Sequence, residues 1–174
     1  MQVTDEGTYV EVDGRPAVRF ERIYPHPVER VWRAVTDPDE LRGWFPSPEV
    51  TIEPREGGTI TMAGDPYAPE ASTSRVLVWD PPSRFSFEWD GDELHLTLAP
   101  HEDGCRLTFV NVLATEGSAA RNAAGWEVCL RSLGEVLAGR PGGDQHGSME
   151  EFRPMLERYK AAGMPDDGWL PEEP

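Results

Sequence analysis

The sequence predicts an α+β domain in which a curved antiparallel sheet wraps around one long C-terminal helix, with two short helices after the first long strand. Three observations carry this. Two alternating runs meet at Asp13-Gly14, a favoured hairpin turn. Four further alternating runs between residues 74 and 113 are separated by Pro81-Pro82, Asp90-Gly91-Asp92 and Asp103-Gly104, the punctuation of a meander. The segment Ser118 to Ala138 then carries Trp126, Cys129, Leu130, Leu133, Val136 and Leu137 at helical spacing, which is a single apolar face.

The elements follow in order. TYVEV and AVRFERIY, within Thr8 to Tyr24, form the first hairpin. Pro27 opens a helix whose Val28, Val31, Trp32 and Val35 share a stripe, with Glu29, Arg30 and Arg33 opposite. Asp37 is placed to cap a second helix, Pro38 suits its first position, and Glu40 sits where a capping-box carboxylate returns to the cap backbone. Val50 to Glu53 and Thr59 to Ala63 flank Gly57-Gly58 as another hairpin, and a loop rich in Pro and Ala runs from Gly64 to Ser72.

In the meander, Ser74 to Trp79, Arg84 to Trp89, Glu93 to Ala99 and Cys105 to Leu113 are strands. Alternation puts Phe85, Phe87 and Trp89 on one face of a strand, Leu94, Leu96 and Leu98 on one face of the next, and Leu107, Phe109, Asn111 and Leu113 on one face of the last. The long helix covers these faces, with Arg131, Ser132 and Glu135 on its far side and Gly139 as its C-cap. Residues 1–140 therefore read as one domain and 141–174 as a linker with a helical appendage from Ser148 to Ala162. Its stripe of Phe152, Met155, Leu156 and Tyr159 suits either the domain or a second copy in a homodimer, and Pro171 to Pro174 reads as frayed.

Composition bounds the function. A formal net charge of −16, with Lys160 the sole lysine, opposes binding to nucleic acid or anionic membranes. The acidic N-terminus and the lack of a long apolar run predict a cytoplasmic protein without membrane insertion. Cys105 and Cys129 read as reduced core residues. His26, His95, His101 and His146 share no ligand spacing, so no metal is expected; His95 with Glu88 or Thr97 is the weak acid–base candidate. With no GxSxG and no phosphate-cradling glycine loop, Gly57-Gly58 is punctuation and no cofactor is expected.

The blocks VERVWRAVTDPDELRGWF, RVLVWDPPSRFSFEW, CRLTFVNVL and AAGWEVCLRSLGEVLAG, in that order, resemble the SRPBCC (START-like, Bet v type, helix-grip) superfamily. The branch is similar to the C-terminal domain of the activator of the Hsp-90 ATPase, and the resemblance covers roughly Ala17 to Gly139. Superfamily members include lipid and hormone carriers, polyketide cyclases and cochaperone domains, so the resemblance implies the fold more than an activity. Many relatives carry a His near the position of Asn111 and Trp-His where this chain has Trp126-Glu127.

The expected site is a cavity between sheet and long helix that takes a small apolar molecule. Its candidate lining is Trp44, Phe87, Trp89, Phe109, Asn111, Trp126 and Leu130. Trp44, Trp89 and Trp126 come from three elements whose rings can converge, with Phe45 and Phe87 alongside, either as an indole-walled pocket or as core. Asn111 faces inward, satisfied by backbone or water or else orienting a ligand. Two alternatives stand beside a carrier or sensor: a cyclase-, dehydratase- or hydrolase-like enzyme using Asn111 with Tyr24 or Glu127, and an interaction or cochaperone-like module without ligand.

Overall fold

The structure, a computed structural model, describes residues 6–65, 70–142 and 149–170; the expectation for Pro171 to Pro174 lies outside them. The N-terminal hairpin pairs β1 (Thr8–Val12) with β2 (Arg15–Tyr24). Its turn residues Asp13 and Gly14 have φ of 49° and 80°, the two positive values a type I′ turn needs. The same chemistry recurs at Asp90 and Gly91, φ 50° and 90°, between β6 (Arg84–Trp89) and β7 (Asp92–His101).

With β3 (Glu49–Ile52), β4 (Thr59–Ala63), β5 (Ser72–Asp80) and β8 (Gly104–Val112), the strands make one 8-stranded sheet in the order β1-β2-β8-β7-β6-β5-β4-β3. All pairings are antiparallel. β5 pairs β4 through Ser72 to Arg75 and β6 beyond Val76, where a register shift bends the sheet. Such curvature lets the inner face wrap a helix.

That helix is α3 (Ala119–Leu137), entered through a 3-10 turn at Glu116–Ser118. It ends in a Schellman arrangement: Gly139, at φ 78°, donates to the Val136 carbonyl and Arg140 to that of Glu135. The result is the α+β helix-grip fold, with one hydrophobic core between sheet and helix. Among the described residues no helix is long and apolar enough to cross a membrane.

The short helices α1 (Val28–Thr36) and α2 (Pro38–Leu41) close one end. Val31 and Val35 are buried as the stripe predicts, and Trp32 packs edge-on against Trp79 at 5.2 Å. Asp37 caps α2, its Oδ1 accepting from Asp39 N at 2.8 Å. The other half of the expected capping box is not made. The Asp37 N–H is already bonded to the Arg33 carbonyl at the end of α1, so Glu40 turns to Arg30 (2.8 Å) and Arg33 (3.1 Å) instead.

The far side of α3 is less exposed than periodicity predicts. Ser132 and Glu127 are 3% and 2% exposed. α4 (Phe152–Ala161) packs on α3 and buries Met155, Leu156 and Tyr159 there. Ala119, Ala120, Ala123 and Ala124 are fully buried; their small side chains let neighbouring elements approach closely. The chain after Arg140 also crosses back, with Gly142 lying so tightly on the Gly43 carbonyl that no Cβ fits.

Candidate functional site

A cavity of about 590 Å³ opens beside the N-terminal half of α3. Trp89 and Asp90 from the end of β6, Asp92 and Leu94 from β7, and Asn111 from β8 form its sheet side. Asn122, Gly125, Trp126 and Cys129 form its helix side, and Met149, Phe152 and Trp169 of the C-terminal segment complete the wall. The type I′ turn at Asp90-Gly91 is what brings Trp89 and Asp92 to one end of the sheet, opposite α3.

The organising polar residue is Asn111, 1% exposed. Strand alternation sends its side chain inward with Leu107 and Phe109. Its Oδ1 accepts from Trp126 Nε1 at 3.1 Å and from Asn122 Nδ2 at 3.0 Å. Its Nδ2 donates to Asp92 Oδ2 at 3.0 Å and reaches the carbonyls of Glu93 and Val112 at 3.4 and 3.3 Å. Asp92 also accepts from Asn122 Nδ2 at 3.0 Å and from Ala114 N at 2.8 Å. The amide orientations follow from chemistry: an indole N–H only donates, which turns Asn111 Oδ1 toward Trp126 and its Nδ2 toward the carboxylate. Asn111 thus ties β8, β7 and α3 together, and burial costs it no lost hydrogen bond.

Of the candidate lining residues, Trp89, Asn111 and Trp126 meet at this cavity. Trp44, Phe87 and Phe109 lie behind it around a residual gap of about 10 Å³. Leu130 is 1% exposed, and its carbonyl accepts from the Tyr24 hydroxyl at 3.2 Å. Phe45 links the aromatic groups: it packs on Trp44 (5.6 Å), stacks on Trp89 (5.3 Å) and touches Trp126 (5.8 Å). Trp44 donates its Nε1 proton to the Ala34 carbonyl at 2.9 Å, which anchors it between the short helices and the core.

The remaining chemical candidates fall elsewhere. His95 bonds Ser86 (2.9 Å) and Glu93 (3.1 Å), not Glu88 or Thr97, because Ser86 is its cross-strand partner and Glu93 lies two residues away on the same strand face. Glu127 is held by Arg158 and Tyr159, each at 2.5 Å, and neither it nor Tyr24 is among the cavity walls. Cys129 is a wall residue; burial, with the nearby Asp65 charge, pushes its thiol far up, which keeps it protonated and unreactive. Burial also raises Cys105. His101, Glu102 and Asp103 place possible ligand atoms within 4.8 Å of one another. Glu102 and Asp103 are exposed, and His101 Nδ1 accepts from the Asp103 N–H within the same turn.

Sequence reasoning missed Asp92, Asn122 and, in the C-terminal segment, Asp167 and Trp169. Arg121 Nη1 donates to Asp167 Oδ1 at 2.8 Å and to the Trp169 carbonyl at 3.1 Å, and its guanidinium lies 4.8 Å from the Trp169 ring. Ala120 N donates to the Pro165 carbonyl and Asp167 N to that of Gly117. The segment therefore satisfies backbone groups at the start of α3 while laying Trp169 on the cavity wall. One signal was available: Asn122 and Trp126 stand four apart on one helical face.

Known proteins agree with this architecture. No curated protein matches the chain in sequence. The crystal structure of CalU16 from Micromonospora echinospora is 25% identical, with a TM-score of 0.70 over 90% of this chain and 96% of that one. EF2215 from Enterococcus faecalis, a conserved protein of unknown function, shares the fold at 17% identity, TM-score 0.70 and 92% coverage of each chain. The protein encoded by BPP1335 from Bordetella parapertussis does so at 20% identity, TM-score 0.69, covering 99% of this chain and 98% of that one. Residues 25–138, more than half of the chain, match the family model described as Activator of Hsp90 ATPase homolog 1-like protein. By that match and the shared helix-grip fold, the chain belongs to the Activator of Hsp90 ATPase homolog 1-like family.

Proposed function

We propose that the protein binds a small, mostly apolar molecule in the cavity between sheet and α3, as a carrier or sensor. The cavity itself supports this reading: about 590 Å³ falls within the range of small-molecule sites, and apolar walls with a few fixed polar groups are their usual make-up. Trp89 and Trp126 supply flat apolar surface, and the Asn111 cluster supplies orientation.

A carrier fits better than an enzyme. Among the described residues the charged and thiol groups on the wall are Asp65, Asp90, Asp92, Arg121 and Cys129; Asp92 is occupied by three donors, Arg121 by Asp167, and the Cys129 thiol stays protonated. The same reading puts the protein in the cytoplasm, its net charge of −16 working against nucleic acid as a partner. Native mass spectrometry of the purified protein, together with titration by the neutral fluorophore phenylnaphthylamine, tests it. A co-purifying small molecule or saturable 1:1 probe binding is expected; a protein that carries none and refuses the probe contradicts the proposal.

A further inference from the structure

Resting on that reading, we infer that the cavity's ligand carries a protonated amine on a flat apolar body. Among the described residues the walls at the end of the sheet bear two carboxylates, Asp90 and Asp92, against one guanidinium, Arg121. Arg121 is already answered by Asp167 at 2.8 Å, and Asp167 is not itself a wall residue. A ligand entering this space therefore meets an excess of negative charge.

Hydrogen-bond polarity points the same way. Trp126 Nε1 and both amide nitrogens of the Asn111 and Asn122 pair donate within the cluster, to Asn111 Oδ1 and the Asp92 carboxylate. Because Asn122 Nδ2 serves both Asn111 and Asp92, the Asn122 Oδ1 is turned away from them; it is an acceptor with no partner among the described residues. The polar end of the cavity accordingly offers acceptors, and its complement is a donor.

Acidic residues alone would be a solvated rim. Here they flank two indole walls of the same cavity, Trp89 and Trp126, and indole is the best side-chain surface for a cation. The molecule already uses this preference once, in the Arg121 guanidinium over Trp169 at 4.8 Å. The net charge of −16 adds a field that gathers cations at the mouth. An ammonium head meets the Asn122 Oδ1 acceptor, the negative charge of Asp90 and Asp92 and the rings together; a carboxylate head meets repulsion from both aspartates.

Three ligands of one size separate the terms: naphthylmethylamine, naphthylmethanol and naphthoate, each titrated in competition with phenylnaphthylamine on the full chain. The amine should displace the probe at roughly tenfold lower concentration than the alcohol, and naphthoate should be weakest. Asp90→Asn, a change tolerated at its φ of 50°, should shrink the amine-to-alcohol ratio about threefold. Glu56→Gln, in the exposed β3–β4 turn, should leave the ratio unchanged. Equal potency of the three, or naphthoate as the tightest, overturns the amine inference while the cavity reading stands. Failure of the probe itself to bind overturns the cavity reading, and the inference with it.

Discussion

Tyr159 donates its hydroxyl proton to Glu127 at 2.5 Å across the α3–α4 interface, with both residues under 5% exposed. The same hydroxyl accepts from Gly7 N at 2.7 Å, and Arg158 meets the same carboxylate oxygen at 2.5 Å. Burial and then the Glu127 carboxylate push the Tyr159 phenol well above its ordinary value. Glu127 thus binds the tail helix to α3, and Tyr159 joins the N-terminal segment to the same contact.

Glu127→Gln should lower stability by about 1–3 kcal/mol, read as a shift in the urea midpoint at unchanged slope. The half-exposed Arg158 keeps access to water, which limits the loss. Tyr159→Phe should cost about 1–2 kcal/mol, and the double variant less than the sum of the two. Additive losses would contradict a shared contact.

Asn111→Ala strips partners from Trp126 Nε1, Asn122 and Asp92 at once, and should destabilise by about 2–4 kcal/mol. Asn111→Asp keeps the shape and puts a second carboxylate about 3.0 Å from Asp92. One of that pair must then hold a proton, its folded-state pKa raised above the unfolded value. The variant's deficit relative to the native chain should be large at neutral pH and shrink as pH falls through that raised value. A pH-independent deficit in thermal melts would contradict the contact.

These two clusters mark the boundary of what the sequence made legible. The hairpins were readable because Asp13-Gly14 and Asp90-Gly91 carry their turn type in two residues. The α3 stripe and the inward faces of β6 to β8 were readable because burial follows period. The pairing of β2 with β8 joins residues roughly ninety apart, and no local pattern encodes it. Ser132 looked solvent-facing because periodicity cannot foresee a second layer, and Glu127, weighed as a pocket group, is instead held by Arg158 and Tyr159 of α4. Asp92 was read as turn punctuation, yet its carboxylate is the junction of the Asn111 cluster. The capping box at Glu40 failed because Asp37 N was spent on α1.

Asp167 is held below the ordinary aspartate value of 3.8 by the Trp169 backbone N–H and then by Arg121. A depressed folded-state pKa contributes stability above the ordinary value and loses it as pH falls through the folded one. Acidification to below 3.8 should therefore release the 164–170 segment from α3. The difference in tryptophan emission between the native chain and Trp169→Phe reports it, and Asp167→Asn should abolish that acid transition. A transition unchanged in Asp167→Asn would contradict the assignment.

Gly125 offers the most direct test of the cavity. It sits on the cavity wall in α3, and a Cβ there would meet only Phe152 Cε2, at 4.0 Å. Leucine at this position favours the helix by about 0.5–1 kcal/mol while filling ligand space. The decisive measurement is phenylnaphthylamine titration of Gly125→Leu beside the native chain, with thermal melts of both. The account predicts a variant at least as stable as the native protein whose probe affinity falls by about tenfold or more; undiminished probe binding in a folded Gly125→Leu variant would contradict ligand binding in this cavity.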